Sequence, residues 1–260
     1  MKICWVIDET PFYHPDMLAT FIRQSSDQVV GVVRVTHIPP KHNIELYMRR
    51  NFYKLQLPEI IRLVFRKIKY QLFDFFIPVS IHSNRFYSVR KVCKAFAIPF
   101  VTAYGSLNNA AILQFLKEIN PDIVISSNSL IFSKQLLAIP RLACINRHSA
   151  LLPSYGGLWP VFQALAHGEN QVGVSVHIML PQIDKGPILS QQAISVLPTD
   201  TVDSLYAQCF SISPALILQA IDTIREGSPN GLHLSHKPSY FSFPTCSDWS
   251  SFRKNKRRFV

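Results

Sequence analysis

With 260 residues, 48% of them apolar and 17% charged, the chain is long and apolar enough to bury a substantial core, which excludes a disordered or fibrous protein. A formal net charge of +11 at pH 7 implies attraction to something anionic: nucleic acid, acidic lipid or a phosphorylated small molecule. Five scattered cysteines (Cys4, Cys93, Cys144, Cys209, Cys246), with no Cys-x-x-Cys pair, predict free thiols and no zinc site.

The opening run, 2–8, is short, apolar and ends in an acid, so it predicts a first strand rather than a signal peptide, with a cytoplasmic location expected. No apolar run is read as approaching the roughly 20 residues that span a bilayer. Met17, Leu18, Phe21 and Ile22 have helical spacing, and 29–35 is a second β-branched run, giving an opening β-α-β unit. Asp8-Glu9-Thr10-Pro11-Phe12 offers no glycine where a backbone would approach a pyrophosphate, which argues against a dinucleotide site.

An insertion at about 38–87 follows. Within it, 58–76 sets Ile61, Val64, Phe65, Ile68, Leu72 and Phe75 on one side of a helix and Arg62, Arg66 and Lys69 on the other. Two readings stay open: a surface helix packed on the domain with a solvated basic face, or a peripheral anchor to acidic membrane or dock for an anionic substrate. Beyond it, a helix at 88–96, a strand at 98–102, a helix at 109–119 and a buried strand at 121–126 continue the alternation. The fold class is therefore α/β, a Rossmann-like, mostly parallel twisted sheet with helices on both faces. Strands at 172–179 and 189–196 come next, then a helix opened by Thr199-Asp200-Thr201, running to Ile224 and stopped by Gly227. The expected division is a catalytic domain over 1–225 and a short polar, aromatic-dotted tail over 226–260.

The chemistry gathers between Cys144 and Gln191. Asn146 and His148 stand two apart at a strand end, so their side chains point the same way. Asp184 sits at a Gly-Pro turn after the 172–179 strand, and a carboxylate beside an imidazole supports its proton transfers. Taken one by one, His177 within its strand reads as structural, Tyr155, Trp159 and Phe162 read as packing, and His14, His37, His42 and His82 receive no role.

The set Asn146, His148, Leu152, Pro153, Tyr155, Gly157, Pro160, Gly173, Ser175, His177, Asp184, Gly186 and Ile188 resembles the signature of the folate-dependent formyltransferases, which act on glycinamide ribonucleotide, methionyl-tRNA or sugar nucleotides. The resemblance covers about 90–225 well and the first strand loosely. It implies a formyltransferase-type fold, 10-formyltetrahydrofolate as co-substrate and no metal. It assigns Asn146 to the formyl oxygen, His148 to the same oxygen or to the amine proton, and Asp184 to orienting His148 and accepting that proton. It places the pterin against Asn128, Leu130, Ile131 and Phe132 on one side and Leu180, Ile183 and Asp184 on the other. Ala150 stands where the family has Ser, and Gly156 where it has Arg; both bear on the acceptor.

Only about thirty residues follow Gly231, too few for the tRNA-gripping barrel of methionyl-tRNA formyltransferases, and the aromatic-basic stretch 240–258 resembles formyltransferases of surface-polysaccharide synthesis. The expected acceptor is therefore the primary amine of an anionic amino-sugar nucleotide. The alternatives are methionyl-tRNA or a non-catalytic folate- or sugar-binding role. No nucleic-acid reader motif accompanies the charge. A homodimer is a further expectation.

Overall fold

The computed structural model describes residues 1–36, 54–227, 231–232 and 236–260. Its centre is β1 (Lys2–Asp8), whose alternating side chains feed two separate cores. Ile3, Trp5 and Ile7 enter one with Phe21, Phe162 and Phe252; Cys4 and Val6 enter the other with Ile112, Leu116 and Phe132. A strand apolar on both faces demands cover on both, and the helices supply it.

On the first face lie α1 (His14–Gln24), α3 (Val89–Ala95) and the long α7 (Val202–Arg225); on the second lie α4 (Ala110–Ile119) and α5 (Lys134–Leu137). The sheet adds β2 (Gln28–Thr36), β3 (Phe100–Tyr104), β4 (Ile123–Ser127), β5 (Ala143–His148), β7 (Gln171–Ile178) and β8 (Ile188–Ser195), in the order β3-β2-β1-β4-β5-β7-β8. Pairing is parallel from β3 to β5 and antiparallel for β7 and β8. Since β1 connects outward to β2 while β4 and β5 extend the other way, the order reverses at β1 and β4, where α/β sheets open a crevice at the strands' carboxyl ends.

Local signals explain the element starts. Ser88 and Asn109 accept hydrogen bonds from Lys91 N and Ile112 N, capping α3 and α4. Thr201 and Ser204 form a reciprocal capping box at α7. By length and composition α7 is apolar enough to cross a membrane, contrary to the reading of the bare sequence; half of its apolar window is buried, and it packs against β7, β8 and α1 as a core helix.

Two segments depart from expectation. Residues 236–260, read as a tail, are docked on the domain: β9 (Tyr240–Phe241) pairs with β6 (Gly156–Gly157), and α8 (Cys246–Lys254) buries Trp249 and Phe252 in the first core beside α6 (Pro160–Ala166). Within the insertion, 37–53 lies outside the described residues, and α2 (Leu57–Phe76) forms as the spacing requires. Its apolar side, however, faces outward, and Arg66 turns inward to pair with Asp203. The ion pairs of α2 with Asp203 and Arg253, together with Leu63 on the first core, hold it in this orientation.

Candidate active site

Antiparallel pairing of β5 with β7 sets Asn146 opposite His177 and His148 opposite Ser175. Asn146 Nδ2 lies 3.3 Å from His177 Nε2, and His177 Nδ1 lies 2.9 Å from the Ile178 carbonyl. Only a protonated Nδ1 donates to that carbonyl, so Nε2 accepts one Asn146 amide hydrogen and the other remains for a ligand.

Asp184 follows β7 on the turn before β8, and its backbone is left-handed (φ +54). Its Oδ2 accepts from Gly157 N at 2.8 Å; His177 Nε2 stands 3.6 Å and His148 Nε2 4.0 Å from its oxygens. Those separations suit charge coupling or a bridging water rather than direct hydrogen bonds. His148 Nε2 also lies 3.2 Å from the Tyr155 carbonyl, which fixes the proton on that nitrogen and leaves Nδ1 as the basic one. Among the described residues six non-glycines have positive φ, and Tyr155, Trp159 and Asp184, in the 155–159 loop and the turn beside it, are three of them.

Burial pushes His148 below the ordinary imidazole value, partly offset by the Asp184 carboxylate. Burial would raise Asp184, but the imidazoles of His177 and His148 and the Gly157 N–H outweigh it and hold the carboxyl at about 2. The site thus holds an ionised carboxylate beside a neutral imidazole. Both groups bind protons more readily in the unfolded chain, so each adds stability that is present above its unfolded pKa and lost on acidification: His148 below about 6.5, Asp184 between about 3.9 and about 2. We expect an NMR titration to place the His148 midpoint below about 6.5, and Asp184→Asn to lower it further by removing the charge that supports the imidazolium. A midpoint at or above the ordinary value would contradict a buried neutral His148.

The loop beyond His148 is held by Ser175, whose hydroxyl donates to the Ala150 carbonyl at 2.6 Å and accepts from Leu152 N at 3.0 Å. Gln191 Nε2 donates both to Ser175 Oγ and to the Leu152 carbonyl, each at 2.8 Å. Ala150 itself is buried. Arg147, between the two site residues on β5, is buried and sits 3.8 Å from the Phe210 ring; desolvation lowers its guanidinium to about 10.

The folate residues named from the sequence divide into two kinds. Asn128 spends its amide on the Val6 carbonyl and Ser126 Oγ and its carbonyl oxygen on Leu130 N, so it shapes the loop after β4. Leu130 packs on the second core and the Phe132 side chain lies inside it, so only the backbone of Phe132 can face a ligand. Ile131, Leu180 and Ile183 are exposed, apolar side chains on the loops after β4 and β7. The structure brings His148 and His177 within 4.0 Å of Asp184 and sets Asn146 against His177, so His177, read as structural, joins Asn146 to the other two. A cavity of about 440 Å³ lies elsewhere, bounded by Phe12, Tyr13, Arg66, Asp203 and Phe210, and none of these four residues lines it.

A mostly parallel α/β sheet that gathers an amide, two imidazoles and a carboxylate where β5, β7 and the turn before β8 meet is a framework for acid–base group transfer. The chain belongs to the formyl transferase family, whose model, described as "Formyl transferase", matches residues 81–221. The methionyl-tRNA formyltransferase of Thermotoga maritima is 33% identical over 141 residues, which are 54% of this chain and 45% of that protein. The chain thus spans about half the length of the curated relatives it matches. In fold it is similar to phosphoribosylglycinamide formyltransferase from Anaplasma phagocytophilum (TM-score 0.61, 16% identity, 93% of this chain and 98% of that one). It is also similar to WlaRD, a sugar 3N-formyl transferase (TM-score 0.54, 19% identity, 93% of this chain and 69% of that one).

Proposed function

We propose that this chain moves a formyl group from 10-formyltetrahydrofolate to a primary amine, and that the amine belongs to an anionic amino-sugar nucleotide. The observation that carries the reading is the meeting of Asn146, His148, His177 and Asp184 where β5, β7 and the turn before β8 come together, in a member of the formyl transferase family. The exposed apolar side chains of Ile131, Leu180 and Ile183 and the backbone of their loops fit the flat ring of a folate. Bound there, the folate supplies the activated formyl group.

The remaining roles belong to the chain. The free hydrogen of the Asn146 amide donates to the oxygen on which negative charge grows, held in place by His177. The basic nitrogen of neutral His148 takes the proton that the amine must lose on attack, and a proton passes to N10 of the folate as its bond to the formyl carbon breaks and tetrahydrofolate leaves. Asp184, ionised and fixed by Gly157 N–H, stabilises the imidazolium that results.

One observation supports the sugar-nucleotide acceptor: WlaRD, which shares the fold, was crystallised in the presence of dTdp; the net charge of +11 suits any anionic acceptor, tRNA included. A second reading, methionyl-tRNA as acceptor, is favoured by the names of the curated relatives. To separate them, the protein is incubated with 10-formyltetrahydrofolate and either a panel of nucleotide-linked amino sugars or charged methionyl-tRNA, and the acceptor is weighed by mass spectrometry. Formylation of a sugar but not of the tRNA is the expected result. The reverse would establish the second reading, and folate binding without transfer to either would leave a non-catalytic role.

A further inference from the structure

The orientation of α2 inverts the usual relation between a surface helix and its protein. Its inward side mixes Leu63 on the first core and Phe73 on Tyr87 with three polar side chains that reach the domain. Glu59 accepts from Arg253 Nη1 at 2.9 Å, Arg66 donates to Asp203 at 2.7 Å, and Tyr70 accepts from Arg85 at 2.7 Å. The outward side carries Leu57, Ile61, Phe65, Ile68, Leu72 and Phe75, spaced by threes and fours in one stripe and each 50% to 80% exposed. A 20-residue helix is about 30 Å long, and soluble monomers rarely leave so continuous an apolar surface uncovered.

The charges beside the stripe select its occupant. Arg62, Lys67 and Lys69 are exposed along its edges. The helix's only two acids, Glu59 and Asp74, lie on the inward side, within reach of Arg253 and Lys91. A second copy laid on the stripe would bring cation against cation with no acid of this helix to pair them. An anionic surface with an apolar interior meets both the stripe and its edges.

We propose that α2 seats the protein on acidic lipid, its apolar stripe at the boundary between headgroups and acyl chains and Arg62, Lys67 and Lys69 among the anionic headgroups. The inward ion pairs then serve to hold the helix with its apolar side facing away from the domain. The proposal is independent of the acceptor and of the transfer chemistry.

The test is flotation of this 260-residue chain with vesicles of phosphatidylcholine alone and of phosphatidylcholine mixed with phosphatidylglycerol. Binding is expected to the mixed vesicles, weaker in high salt, and not to the neutral ones. Phe65→Ser or Leu72→Ser is expected to lower partitioning about tenfold or more, and Lys67→Gln or Lys69→Gln about fivefold each. All four positions are exposed, so the fold is retained, which circular dichroism checks. Lys117→Gln with Lys134→Gln, exposed on α4 and α5, is expected to change nothing. An equal loss in that control would reduce the binding to general basicity and overturn the proposal. So would a dimer in sedimentation velocity that Phe65→Ser dissolves without any vesicle binding, which would give the face to a second copy. Binding to neither vesicle and no dimer would leave the stripe to the chain's own residues and overturn it as well.

Discussion

His148→Asn is expected to lower turnover by about 10²- to 10⁴-fold while leaving folate binding within a few-fold of the parent, because a general base contributes in that range and the folate loops do not depend on the imidazole. The reason lies in which nitrogen is free. Tyr155 and Asp184 occupy the Nε2 side at 3.2 Å and 4.0 Å, so the atom that serves the amine is Nδ1, and asparagine has no comparably basic nitrogen. Asp184→Asn is expected to fall in the same range, with the residual activity shifted toward lower pH as His148 loses its supporting charge. Single-turnover formyl transfer and calorimetric titration with a stable 10-formyltetrahydrofolate analogue read the two quantities separately. Turnover within tenfold of the parent in both variants would remove these residues from the chemistry, and loss of folate binding in His148→Asn would make the residue a structural support instead.

Much of this arrangement could be read from the residues because it is local. Strand β1 announced itself by an apolar run that ends in an acid, and Ser88, Asn109 and Thr201 marked helix starts by hydrogen bonds that reach only three residues. Asn146 and His148 declared a common direction through their spacing alone. His177 did not, since six consecutive residues of β7 are buried on both faces and the strand offers no alternation from which to pick a site residue. Its position opposite Asn146 is a fact of cross-strand register. The orientation of α2 was hidden for the same reason: spacing defines the stripe, but Asp203 and Arg253, which pair with its inward side, lie more than a hundred residues away in sequence. The docked C-terminal segment did carry a signal. Thr245 and Asp248 form a capping box just before Trp249 and Phe252, the pattern of a helix start with apolar positions three apart. The short α6, buried at every position, has no polar face to show a period.

Gly157→Ala is expected to cost about 3 kcal/mol or more in urea unfolding and to reduce turnover by about 10²-fold, an effect out of proportion to one methyl group. Three causes converge on this residue. Its φ of +95 is a conformation that an L side chain resists. A Cβ there would lie 2.1 Å from the Phe241 carbonyl oxygen, so β9 must move away from β6 to admit it. The N–H of the same residue donates to Asp184 Oδ2, and a carboxylate that loses a backbone donor is both less anchored and less acidic. Gly105→Ala separates these contributions: Gly105 also has positive φ (+69) but nothing within 4 Å of a new Cβ, so it carries the conformational cost alone, about 1 kcal/mol. If Gly157→Ala proved no worse than Gly105→Ala, the contact with Phe241 would not restrain the loop. If it lost stability but kept full turnover, the Gly157 N–H would be dispensable to Asp184. The expected loss of both ties the C-terminal strand to the Asp184 carboxylate through one backbone amide: β9 fixes Gly157, and Gly157 fixes Asp184 beside the two imidazoles.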